Sequence, residues 1–161
     1  MKYIILIVVL TLLAGVAWPY VYVYRLDQAL SATSPAALQR LVDLEAVRSQ
    51  VKKDVDGSVS GAVGNDPGRV TRWLKDGIKL VSDTAVDANI DLEWVRLKLS
   101  IRATEPPSPR PSFMGDISYA FFESYNRFMV RLGALGDKPV HVQMDLQEDN
   151  VWRVVAIYGP E

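Results

Sequence analysis

Apolar and polar positions divide this chain into three stretches with different periods. Between Lys2 and Arg25 there is no charged residue, and the 22 residues from Tyr3 to Tyr24 are almost wholly apolar or aromatic. As a helix they would reach about 33 Å, enough for a hydrocarbon core of about 30 Å. From Leu26 to Val81 apolar residues recur at intervals of three and four, the period of helices with one buried face. From Ile117 onward the interval falls to two, the period of half-buried strands.

In the helical stretch, Val23, Leu26 and Leu30 share a face, and this turn of helix either continues the first segment or follows it directly. Ser34-Pro35 restarts a helix: a serine N-cap with proline in the first turn, where its missing N–H costs nothing. Leu38, Leu41 and Val42 give it an apolar edge. Asp43 is a second N-cap, ahead of a stripe of Leu44, Val47, Val51 and Val55 with Arg48, Lys52 and Lys53 turned outward. Gly64 to Gly68 reads as a turn, followed by a third helix from Pro67 to Val81 with Val70, Trp73, Leu74 and Ile78 on one face. Residues 92–101 carry two conflicting signals. Val95, Leu97, Leu99 and Ile101 alternate with polar residues like a strand, and on period alone the strand is favoured. Asp91-Leu92-Glu93 instead reads as a capped helix start. The four prolines of Thr104 to Ser112 make an extended surface connection.

The last third holds the clearest β pattern. Ile117 to Phe122, the alternating run around Phe128, Val130 and Leu132, a third run through Val140, Val142, Met144 and Leu146, and a fourth from Val151 to Tyr158 are joined by short polar or glycine-containing links. Consecutive strands on short links form an antiparallel meander. Helices first and strands last predict an α+β fold with the helices packed on one face of the sheet.

The first segment decides the setting. A cleaved signal peptide would end near Gly15-Val16-Ala17, before Trp18. The apolar run instead continues through Trp18, Tyr20, Val21, Tyr22, Val23 and Tyr24, an aromatic belt of the kind found at membrane interfaces, which favours an uncleaved anchor. Tyr20, Tyr22 and Tyr24 also alternate, so the alternative is a strand or core segment of the domain. The expected organisation is a transmembrane anchor over 1–24 and one extracytoplasmic domain over 25–161. Lys2 on the short side places the domain outside, on the periplasmic face of an inner membrane if the source is bacterial. Of 161 residues, 18 are Lys or Arg and 19 are Asp or Glu, so nothing resembles the basic footprint of a nucleic-acid binder. The absence of cysteine removes both disulfides and a lipoprotein anchor.

The segments YRLDQAL, SPAALQRLVDLEAVRSQVK, ESYNRFMVRLG and WRVVAIYGP resemble a bacterial family, domain of unknown function 2939, whose members look like short envelope proteins with a hydrophobic N-terminal segment. The resemblance lies at the two ends of the domain and is poor over 57–111. It implies a helix near Asp91-Leu92-Glu93-Trp94, although the proline usual at that helix start is missing here. It brings no reaction with it. The order of elements is similar to cystatin-like and nuclear-transport-factor-like cones, a likeness of fold only.

Chemistry is thinly represented. His141 is the one histidine and lies on the polar face of its strand; no Gly-x-Ser-x-Gly, calcium-loop spacing or phosphate cradle exists. No metal or cofactor is expected. A cone would offer an apolar pocket lined by Trp73, Phe122, Phe128 and Trp152. Asp116 and Glu123 flank the aromatic run Tyr119 to Phe122 and are the carboxylates to watch for burial. The expected function is therefore a non-catalytic, membrane-tethered module binding an envelope protein or an apolar ligand. The alternatives are a carboxylate enzyme with a cone-shaped pocket, or an accessory subunit seated through the small-residue pair Thr11 and Gly15.

Overall fold

The computed structural model describes residues 2–32, 35–61, 87, 89–100, 113–134 and 139–159, with only the backbone described over 55–61. The helix expected over Pro67 to Val81, with Trp73, and the proline-rich connection lie outside the described residues.

Helix α1 spans Lys2–Ser31 as one element and runs through Pro19 without a break. The strand reading of Tyr20, Tyr22 and Tyr24 is thereby corrected: Tyr22 is buried and Tyr20 and Tyr24 are exposed, the outcome of helical rather than alternating geometry. The helix has two halves in different surroundings. From Lys2 to Trp18 every residue is exposed on all sides. From Pro19 onward one face is buried, through Tyr22, Val23, Leu26 and Ala29 at helical spacing. Tyr22 and Val23 thus belong to the core of the domain, and the helix serves both segments across Tyr24 and Arg25. Arg96 Nη2 donates to the carbonyl of Ala32 just past the helix end at 2.8 Å, a cation where the helix macrodipole is negative.

Helix α2, Pro35–Gln39, buries Leu38. Helix α3, Leu44–Gly61, starts at the expected cap: Asp43 Oδ1 accepts from the Ala46 N–H at 3.0 Å. Val47 and Val51 are fully buried. Between α2 and α3 the chain makes a parallel bridge, Val42 with Val154. The Asp43 N–H donates to the Val154 carbonyl at 2.9 Å, and the Val154 N–H to the Leu41 carbonyl at 2.8 Å.

Helix α4, Leu92–Ser100, overturns the strand favoured by period. Asp91 caps it, Oδ1 accepting from the Trp94 N–H at 2.8 Å. Burial pairs Trp94 with Lys98 and Val95 with Leu99, four apart, while Leu97 is half-exposed. The Lys98 ammonium lies 5.7 Å from the centre of the Trp94 ring.

After a 3-10 turn at Met114–Asp116 come four strands: β1 Ile117–Ser124, β2 Arg127–Leu132, β3 Val140–Leu146 and β4 Trp152–Tyr158. They form one antiparallel sheet in the order β1-β2-β3-β4, the meander read from the sequence. Phe128, Val130, Val142, Met144, Trp152, Val154 and Ile157 are the buried sheet contribution to the core. A register shift between Gln143 and Met144 keeps both inner sides of β3 and β4 in phase. In a meander the first and third links lie at the same end. Here the Leu146 N–H donates to the Asn126 carbonyl at 2.9 Å, joining the β1–β2 and β3–β4 links. Asn150 takes φ 58° in the second of these, a conformation asparagine tolerates better than most residues.

Candidate functional site

Three of the four residues expected to line a pocket come together, in contact ring to ring. The Phe122 ring lies 5.1 Å from Phe128 and 6.0 Å from Trp152, and Phe128 lies 6.2 Å from Trp152, all edge-to-face. Tyr20 of α1 closes the group at 5.0 Å from Phe128. Phe128 and Trp152 are buried against these rings, so the cluster fastens α1 to the sheet. Two polar contacts act beside it: Tyr20 Oη donates to the Ala120 carbonyl at 3.2 Å, and Trp18 Nε1 to the Asn150 carbonyl at 3.4 Å. Trp73 lies outside the described residues.

The two watched carboxylates do not form a buried pair. Glu123 is exposed and faces Arg127 at 3.7 Å, because it lies on the outer side of β1 near the link to β2. Asp116 is half-buried, in the 3-10 turn before β1, where its carbonyl accepts from the Gly133 N–H at 2.8 Å. His141 is half-buried in β3, opposite Arg131 and Tyr158. The outer sheet face carries a polar ladder. Gln143 Nε2 donates to Asp145 Oδ1 at 3.0 Å, Tyr158 Oη donates to Gln143 Oε1 at 3.0 Å, and Arg127 pairs with Asp145 at 3.4 Å. Burial, helped by the Asp54 carboxylate, pushes the Tyr158 hydroxyl up from its ordinary range. Gln143, Asp145, Tyr158 and Arg127 thus answer one another.

An opening exists elsewhere. A cavity of about 750 Å³ lies between α1, α2 and the start of β4. Tyr22, Ala29 and Leu41 are among its apolar lining residues, and Arg25, Arg40 and Arg153 are its basic ones. Arg25 lies over the Tyr22 ring, 5.2 Å from its centre. Arg153 Nε donates to the Arg40 carbonyl at 3.2 Å, and its two terminal nitrogens donate to both oxygens of Asp149. That bidentate pair holds the Asp149 carboxyl below the usual carboxylate range. Among the described residues, neither Arg25 nor Arg40 has a carboxylate partner.

Sequence reasoning missed this site. Arg25 stands out only as the first charge after the belt. Arg40 and Arg153 are brought beside it by the bridge of Val42 to Val154, a long-range pairing with no periodic signature.

Comparison with known proteins gives one finding. A family model described as "Protein of unknown function (DUF2939)" matches residues 8–97. That span holds α1 from Val8, α2, α3 and α4 as far as Leu97. It therefore includes most of the stretch where the sequence resemblance was poor, and it excludes the two sheet segments ESYNRFMVRLG and WRVVAIYGP. No curated protein and no solved structure matches the chain.

Proposed function

This chain belongs to the DUF2939 family, and from its structure we propose a membrane-tethered module that binds a ligand or envelope partner through the cavity beside its anchor and catalyses nothing. The observation that carries the reading is the division of α1. A helix that is apolar on every side needs an apolar surrounding on every side. Its N-terminal half is apolar and exposed all round, while its C-terminal half is domain core. The helix is long and apolar enough to cross a membrane, a property that signal sequences near an N-terminus share. Lys2 on the short side favours the domain being outside, in the periplasm of a bacterial cell. The non-catalytic part of the reading rests on the exposed position of Glu123 and on the mutual pairing of the outer-face polar groups.

Alkaline extraction of membranes, followed by intact mass measurement, tests the tether. The expected product stays in the membrane fraction and includes residues 2–17. A soluble product beginning at Trp18 overturns the anchor. That second reading is favoured by one specific observation: exposure gives way to burial at Trp18-Pro19, beside the position where a signal peptidase would cut. Sidedness has a separate test. The chain has no cysteine, so Lys53→Cys creates a unique thiol on an exposed stretch of α3. Labelling of intact cells by a membrane-impermeant maleimide is the expected result, and protection until lysis would reverse the orientation.

A further inference from the structure

We propose that the cavity beside α1 binds a phosphate-bearing anion, an inference that rests on the reading of this cavity as the binding site. Arg25, Arg40 and Arg153 come from three separate parts of the chain and meet at one opening. One carboxylate, Asp149, answers one of them, by pairing with Arg153. The Gln28 and Gln39 amides also line the opening and add no charge. Among the described residues, three cations line the opening and one carboxylate answers them, which leaves the described part of the site short of negative charge.

Arginine favours this class of ligand over others. Each guanidinium offers a rigid fork of donors matched to phosphate oxygens. Arg153 already spends its fork on Asp149 and the Arg40 carbonyl, which leaves Arg25 and Arg40 to meet an anion. Two guanidiniums suit a doubly charged tetrahedral phosphate, whereas a planar carboxylate is satisfied by one. The apolar wall of Tyr22, Ala29 and Leu41 suits the carbon frame that carries a phosphate.

Position relative to the anchor narrows the source to two. Arg25 lies two turns beyond Trp18, about 10 Å along the helix axis. The headgroup layer extends roughly 5–7 Å beyond the hydrocarbon. A guanidinium on a long side chain can therefore reach down to a lipid phosphate or hold a soluble phosphate monoester from above. Phosphate is common to both.

The test uses the full chain in nanodiscs and follows the arginine Nε–Hε resonances, assigned with Arg25→Gln and Arg40→Gln. One arm titrates glycerol phosphate into phosphatidylcholine discs; the other replaces part of the lipid with phosphatidylglycerol. Saturable shifts of both resonances in the first arm assign a soluble ligand, and shifts appearing only in the second assign a lipid headgroup. In the arm that responds, each single variant, read on the arginine that remains, is expected to weaken binding by about ten-fold or more, as loss of charge-assisted hydrogen bonds implies. Lys53→Gln, the same charge change on α3, should leave the affinity within about two-fold, as a screened distant charge implies. Absence of a saturable shift in both arms overturns the proposal. So does an equal loss on Lys53→Gln, or equal competition by acetate. Membrane retention and melting of each variant are measured alongside. A negative result from folded, membrane-bound protein removes the anion and leaves the tether standing.

Discussion

Replacing Trp152 separates two forces that act on one side chain. Its ring is packed between Phe122 and Phe128, yet its indole N–H is buried with no hydrogen-bond partner among the described residues. Loss of the whole ring, Trp152→Ala, is expected to cost about 3–5 kcal/mol and lower the melting temperature by many degrees. Trp152→Phe keeps an aromatic ring and removes the unanswered donor, whose burial costs about 1–3 kcal/mol. Its melting temperature should therefore fall less than half as far; equal falls would show that the N–H is satisfied. Asp149 offers a test by acid. Arg153 lowers its folded pKa, so the pair's contribution is complete above the ordinary Asp value of about 3.9 and is lost as pH falls through the lowered folded value. Carboxyl carbon NMR should show Asp149 titrating below the ordinary Asp value, and Arg153→Gln should move it back up toward that value. Alternation puts Trp152 on the same side of its strand as Val154, which is why the sequence could offer it as an inward ring. Nothing local could state that Arg153, its outward neighbour, would meet Arg25 and Arg40.

At the scale of elements, α4 shows how a short sequence satisfies two periods at once. Val95, Leu97 and Leu99 would share one side of a strand. In the helix, Val95 and Leu99 turn inward with Trp94, and Leu97 turns out. The cap of Asp91 on Trp94 decides the conflict, since it answers an amide that a strand would have to pair elsewhere. The two geometries predict different mutational costs. Leu99→Ala should cost about 2–5 kcal/mol. Leu97→Gln, at an exposed site, should stay within about 0.5 kcal/mol. Thermal unfolding of both variants measures this, and similar costs would return the segment to a strand. The sheet was easier to read because its strands follow one another on short links and alternate over most of their length; the register shift between Gln143 and Met144 left no mark in the pattern. The parallel bridge of Val42 to Val154 was not legible, since it joins residues from opposite ends of the domain.

At the scale of the whole molecule, the exposed apolar segment and the domain share an element, so neither is defined by a cut between them. Removing residues 1–24 takes Tyr22 and Val23, 6% and 2% exposed, out of the core and Tyr20 from the aromatic joint. A chain beginning at Trp18 keeps all three. The expected outcome is a cooperative melting transition and near-ultraviolet signal for 18–161, and loss of both for 25–161. Equal behaviour of the two fragments would show that the first turns of the buried half contribute nothing. The sequence showed both halves of α1 through their composition. The sharing was hidden, because an apolar residue looks the same whether lipid or protein will surround it.

A helix gripped at one end by protein can act as a gauge of bilayer thickness. On the tethered reading, the run with lipid-compatible surface extends from Tyr3 to Trp18, roughly 24 Å as a helix. The joint of Tyr20 with Phe128, and the contact of Trp18 with Asn150, fix the helix against the sheet. In a bilayer much thicker than this run, the helix has no tilt to spare. The membrane must thin locally, or the surface must rise against the joint and prise Tyr20 away from Phe128. In a thinner bilayer, tilt absorbs the excess, and the β1–β2 and β3–β4 links lean toward the headgroups. The melting temperature of the domain should accordingly fall as the acyl chains of the surrounding lipid lengthen. Tyr20→Ala, which breaks the joint, should make that dependence shallower.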